Sequence, residues 1–135
     1  MPNATTIPSD AAGGERLVSR LNGGGDWHER PTAMVMNDSG YLYVTGYSWT
    51  GATPQYDYLT AKLDTLYGDT VWTRCYDGTA PIAPKDDRAF GIALDDSQYV
   101  YVTGQAGEQG TWYDATTVKY TPDGVRVWVN LFDPG

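Results

Sequence analysis

Two acidic pairs, Asp86-Asp87 and Asp95-Asp96, are the first groups in this sequence whose type and spacing suggest chemistry. Paired carboxylates can split their pKa values and serve as acid and base, provided they face each other in a cleft. Neighbouring residues of a strand point to opposite sides, so neither pair meets that condition. Asp95-Asp96-Ser97 also stands where Asn37-Asp38-Ser39 stands in an earlier stretch of the same pattern, and turn chemistry explains both. A calcium loop needs alternating oxygen ligands around a glycine, which neither stretch supplies. The single cysteine, Cys75, excludes an internal disulfide and a multi-thiolate zinc site. Because its counterpart in the second copy is Leu131, it reads as a small buried apolar residue. The single histidine, His28, follows Trp27 in a loop with Gly23-Gly24-Gly25 and has no second His or Cys with which to share a transition metal, so it reads as a surface loop residue. No catalytic residue, metal site or cofactor is read from the sequence.

Aromatic residues offer a different chemistry. The segments 48–56 and 106–113 hold Trp49 with Tyr56 and Trp112 with Tyr113, beside amide and hydroxyl side chains. Such rings can stack on sugars or anchor a protein partner, and they can equally cover the ends of strands. These four residues are the candidate ligand-binding set. Asp57 and Asp114 follow a tyrosine at equivalent positions and read as structural anchors that bond nearby amides, because a catalytic residue is needed once and a structural device in every unit. By the same argument Lys62 and Lys119 read as stems laid along a neighbouring layer with the ammonium left in water.

The elements that position these residues come in two copies. Tyr41-Leu-Tyr-Val-Thr-Gly46 returns as Tyr99-Val-Tyr-Val-Thr-Gly104, the segments from Arg30 and Arg88 precede them, and Tyr56 to Leu63 lies over Tyr113 to Tyr120. Val71-Trp-Thr-Arg-Cys-Tyr-Asp77 lies over Val127-Trp-Val-Asn-Leu-Phe-Asp133. A near-copy at a long period marks a repeat architecture. The chain has 135 residues, 41% hydrophobic and 19% charged, which excludes a disordered chain and bounds it to one modest domain. Glycine, proline, tyrosine and tryptophan abound, which suits short strands joined by turns, and long helical periodicity is absent. The net charge of -8 argues against phosphate-tracking nucleic-acid binding and against anionic membranes. No apolar run is long enough for a membrane helix, and the first ten residues lack the basic flank and apolar core of a secretion signal.

Cut at the turn residues, each copy predicts four strands: 31–37, 41–47, 57–64 and 70–76, then 89–95, 99–105, 114–120 and 125–132. The polar stretch 1–14 reads as a tail and 15–23 as a lone strand resembling the fourth strand of each copy. The first unit spans 30–78, a linker 79–87 and the second unit 88–135. Between Tyr41 and Tyr47 both strand faces are apolar, as in a sheet covered on both sides. Met34 and Met36 alternate with Ala33 and Val35, large to one side and small to the other. The predicted fold is therefore all-β, with two four-stranded antiparallel β-propeller blades and one extra N-terminal outer strand.

The run Ala93 to Gly104, the run Tyr113 to Tyr120 and Val127-Trp-Val129 are similar to the bacterial SBBP repeat, a seven-bladed β-propeller repeat of surface and secreted proteins. The resemblance covers about residues 16 to 135. It implies propeller blades and an extracellular or cell-surface location, and brings no catalytic residue with it. Two blades leave faces and edges bare, which predicts completion by self-assembly, as a ring or filament, or by further blades of a larger propeller. Arg16, Leu17, Val18 and Leu21 are the expected assembly strand. The function expected is a non-catalytic structural or protein-interaction module, not an enzyme, with a carbohydrate-binding propeller as the alternative. The partners expected are further copies, remaining blades, a protein or a glycan, and neither nucleic acid nor membrane.

Overall fold

A computed structural model describes residues 4–6, 19–21, 28–49, 55–78, 85–107 and 113–132. Eleven strands occur among them: β1 (Ala4–Thr6), β2 (Ser19–Leu21), β3 (Glu29–Met36), β4 (Tyr41–Trp49), β5 (Gln55–Asp64), β6 (Thr70–Tyr76), β7 (Lys85–Asp86), β8 (Arg88–Leu94), β9 (Val100–Ala106), β10 (Asp114–Tyr120) and β11 (Arg126–Phe132). The chain is all-β, with no helix among the described residues and so none long and apolar enough to cross a membrane. Each copy forms one antiparallel four-stranded sheet, β3-β4-β5-β6 and β8-β9-β10-β11.

The turns are fixed by residues the sequence repeats. Asn37 Oδ1 accepts the amides of Ser39 and Tyr41 at 3.0 and 2.9 Å, and Asp95 Oδ1 accepts those of Ser97 and Tyr99 at 2.9 and 3.0 Å. These are Asx-type turns, so the acidic pair at 95–96 is structural in its first member. Both inner strands carry a bulge at the same place, between Pro31 and Ala33 and between Ala89 and Gly91. There the inner strand presses on the next one. A Cβ on Gly46 or Gly104 would run into the carbonyl oxygen of Arg30 or Arg88 respectively, which explains the glycine ending each repeated hexapeptide.

The two sheets pack by unlike faces. In the first sheet the row Val35–Tyr43–Lys62–Trp72 and the row Ala33–Thr45–Thr60–Arg74 share one face. In the second, Ile92–Val102–Val118–Val129 and Leu94–Val100–Tyr120 share one. These faces meet in one core that unites Tyr43, Tyr58, Trp72 and Tyr76 with Ala89, Val100, Val102, Ala106, Val118 and Tyr120. Burying the aromatic rings is the dominant favourable term, at roughly 25 cal/mol per Å² of apolar surface. Polar contacts fix the register: the Tyr58 hydroxyl donates to Thr116 O at 3.0 Å and the Thr32 hydroxyl to Ala89 O at 2.7 Å.

Three expectations change. The stretch read as a polar tail contains β1, which pairs with β2 through Ala4↔Leu21, Thr5↔Arg20 and Thr6↔Ser19 and lies against β3. Leu21 of the expected assembly strand therefore pairs within the chain, while Arg16, Leu17 and Val18 lie outside the described residues. Within the stretch read as a linker, β7 runs parallel to β5 through Gln55↔Lys85 and Tyr56↔Asp86. It takes the edge of β5 beyond Tyr58, the last residue that β6 covers. Finally, Met34 and Met36 are exposed, lying on the edge strand β3 and on the side away from the second sheet.

Candidate functional site

The end of the first sheet gathers the aromatic residues. Trp49 and Tyr56 sit opposite each other on β4 and β5, their ring centroids 5.1 Å apart and nearly perpendicular. Tyr47 meets Tyr56 in the same way at 5.1 Å, and the His28 ring tilts against Trp49 at 5.9 Å. His28 is thus half-buried ring packing, and its carbonyl accepts the Trp49 amide at 2.8 Å. The guanidinium of Arg88, from the second copy, lies 4.9 Å from the Tyr47 ring and 5.0 Å from the Tyr56 ring. Its Nε donates to Asp86 Oδ1 at 2.9 Å. That hydrogen bond pushes the Arg88 pKa further up, so the group is a permanent cation against two ring faces. Tyr113 is 39% exposed beside this cluster. Burial, then the carboxylates of Asp86 and Asp87, push its phenol pKa up. Trp49 and Tyr56 of the candidate binding set are therefore brought together with Tyr113 nearby, while Trp112 lies outside the described residues.

The two acidic neighbours Asp86 and Asp87 point to different partners, as strand geometry requires. Asp87, with no exposed surface, accepts the Gly78 amide at 2.6 Å and the Gly107 amide at 2.7 Å, and its own amide donates to Tyr56 O at 2.8 Å. One side chain thus fastens the end of the first sheet to the β9–β10 loop. This is the backbone-anchoring role that the repeated sequence suggests for Asp57 and Asp114. The signal was present, since Glu29-Arg30 stands where Asp87-Arg88 stands. Glu29 is buried as well and accepts the Ser48 hydroxyl at 3.3 Å. Asp57, half-buried opposite Ser48, joins Asp77 and Asp87 in a group whose carboxylate oxygens lie within 4.8 Å of one another. Oxygen-only ligands of this kind suit a hard divalent cation better than zinc. Asp87 nevertheless spends both oxygens on amides. Asp114 opens β10 half-buried, opposite Ala106.

Cys75 is exposed rather than buried: it sits on the edge strand β6, on the side away from the second sheet, where Val44, Ala61 and Leu63 of the central strands are covered. Partial burial of the thiol, followed by the carboxylates of Asp57 and Glu29, pushes its pKa up and keeps it a poor nucleophile.

Lys62 corrects another expectation. Its ammonium lies 4.2 Å from the Tyr41 ring and donates to Pro122 O at 3.3 Å, instead of ending in water. Trp72 Nε1 donates to the same carbonyl at 2.9 Å, and Arg74 Nε to Gly124 O at 2.7 Å. The turn Thr121-Pro-Asp-Gly124 is therefore held by three side chains of the first sheet. A Cβ on Gly124, whose φ is +84°, would stand 2.8 Å from the Trp72 ring. Glycine is needed there for both the backbone and the close approach.

The free face of the second sheet repeats this arrangement without a turn upon it among the described residues. Ala93–Tyr101–Lys119–Trp128 holds the register of Val35–Tyr43–Lys62–Trp72. Thr103 and Thr117 share a hydrogen bond at 3.1 Å as Thr45 and Thr60 do at 3.0 Å, yet the second pair is buried and Thr103 is exposed. Phe132 is exposed on that face too. In comparisons with known proteins, no family model and no curated protein sequence matched this chain.

Proposed function

We propose that this chain is a non-catalytic interaction module whose sheets are propeller-type blades, and that it docks onto another sheet, a further copy of itself included, through the free face of its second blade. One observation carries the reading: the Tyr–Lys–Trp face of the first sheet is closed by the second, and the same face of the second sheet is open. Four-stranded antiparallel units that stack front to back are the pattern of propeller blades. The resemblance to the SBBP repeat points the same way, and to the outside of the cell. Contiguous exposed apolar side chains beside polar ones mark a protein-binding surface rather than a solvated one. Light scattering across a concentration series tests this. The expected result is a mass that rises above that of one chain and falls back in Phe132→Glu; a constant single-chain mass at high concentration overturns self-association.

A second reading, glycan binding, rests on the perpendicular Trp49–Tyr56 pair with Arg88 and Asp86 beside it. Planar rings next to a guanidinium and a carboxylate supply stacking and directional hydrogen bonds to a sugar. A glycan panel read by Trp fluorescence tests it, with Trp49→Phe as the control. No response across the panel removes the reading.

A further inference from the structure

We infer that the free face of the second sheet is a preformed socket for a β-hairpin closed by an Xaa-Pro-Asp-Gly turn, carried by another polypeptide. The inference rests on the face-docking reading above and names the chemistry of the partner. Its template lies within the chain. In the occupied socket an indole N–H and an ammonium converge on the proline carbonyl of the turn, and the glycine lies flat on the indole. The turn arrives ready made, since the Gly124 amide donates to Thr121 O at 2.9 Å and the Val125 amide to Thr121 Oγ1 at 3.0 Å.

The open socket has the same parts at the same spacing. Lys119 Nζ lies 4.5 Å from the Tyr99 ring and 5.0 Å from the Tyr101 ring, against 4.2 and 5.5 Å for Lys62 over Tyr41 and Tyr43. Tyr101 and Trp128 have centroids 6.0 Å apart, against 6.1 Å for Tyr43 and Trp72. A bulge in the outer strand sets both tryptophans opposite their lysines. The Tyr101 hydroxyl donates to Asp95 Oδ2 at 2.9 Å, which holds that ring upright without a partner present. Of the three side chains that donate to the turn, the third differs, Asn130 standing for Arg74, and its amide can still donate to a carbonyl. Preorganisation of this sort lowers the ordering cost of binding. The chain's own Thr121–Gly124 turn is engaged on Trp72, so the hairpin comes from elsewhere.

The test uses the intact chain, labelled with nitrogen-15, and a cyclised synthetic hairpin of the sequence from Val118 to Val129. The expected result is a saturable shift of the Trp128 indole N–H signal. A hairpin with valine in place of the turn glycine should lose it. In the double variant Lys119→Met, Trp128→Phe, affinity should fall about tenfold or more while the melting temperature stays put. No saturable shift, equal binding of the valine hairpin, or a response at Trp72 instead of Trp128 each overturns the socket. The two proposals fail separately. Self-association by a chain whose Trp128 signal ignores the hairpin sinks the socket and spares face docking, while hairpin binding by a chain that stays monomeric spares the socket and sinks self-association.

Discussion

The Asp87 carboxylate accepts the Gly107 amide at 2.7 Å from a position with no exposed surface, and its other oxygen accepts Gly78 at 2.6 Å. Removing it strands two buried N–H groups and two charge-assisted bonds. Asp87→Ala is expected to cost about 2–4 kcal/mol. Urea unfolding with an unchanged slope is the measurement, and a loss below ~1 kcal/mol contradicts the anchoring role.

Trp72 and Trp128 hold one register position in two sheets, but they are 7% and 39% exposed. Trp72→Phe gives up the bond to Pro122 O and part of the core, an expected cost of about 1–3 kcal/mol. Trp128→Phe should stay within ~0.5 kcal/mol in the monomer, as a surface change does. Parallel melts of the two variants decide it, and equal losses contradict the assignment of open and closed faces.

The two Asx turns should part company in acid. Desolvation pulls the Asp95 pKa up, but hydrogen bonds from the Tyr99 amide, the Tyr101 hydroxyl and the Ser97 amide outweigh it and leave the pKa below its ordinary 3.8. A depressed carboxylate contributes in full above the ordinary value, and the contribution disappears as pH falls through the lowered one. The Asp95–Gln98 hairpin should then lose amide-exchange protection in that range. The Asn37–Gly40 hairpin, held by an amide that does not titrate, should not. Asp95→Asn should abolish the difference.

At the alkaline end Tyr120 matters most. Burial pushes its phenol from an ordinary 10.0 up to about 12. A raised tyrosine contributes fully below pH 10.0 and loses that contribution as pH rises toward about 12. The window is worth on the order of 2–3 kcal/mol. Ultraviolet titration should find a late-ionising phenol near that pH that is absent in Tyr120→Phe, and the variant's stability should fall less steeply there.

The fold was legible because duplication showed each strand twice. Where one copy was ambiguous, the other settled it: Pro31 breaks the β3 pattern, yet Ala89 to Leu94 does not. Turn residues set their own partners locally, so Asn37 and Asp95 were readable as turns from type alone. What escaped were contacts between copies. Asp87 appeared as half of an acidic pair because Gly78 and Gly107, its partners, carry no side chain to announce a contact. Lys62 appeared solvated because its acceptor is a backbone carbonyl in the other copy. Cys75 appeared buried because strand pattern does not tell an outer strand's inner side from its outer one.

The outer faces of the pair are not alike. On the first sheet Val44, Ala61 and Leu63 are already buried on the side away from the second sheet, whereas Trp128 on the second is in contact with solvent. The covering of the first sheet is partial, since Met34 and Met36 on that same side are exposed along β3, so the two ends of the pair differ in degree. On the docking proposal above, the side bearing Trp128 is the one a partner meets, which gives any joining of this chain a direction.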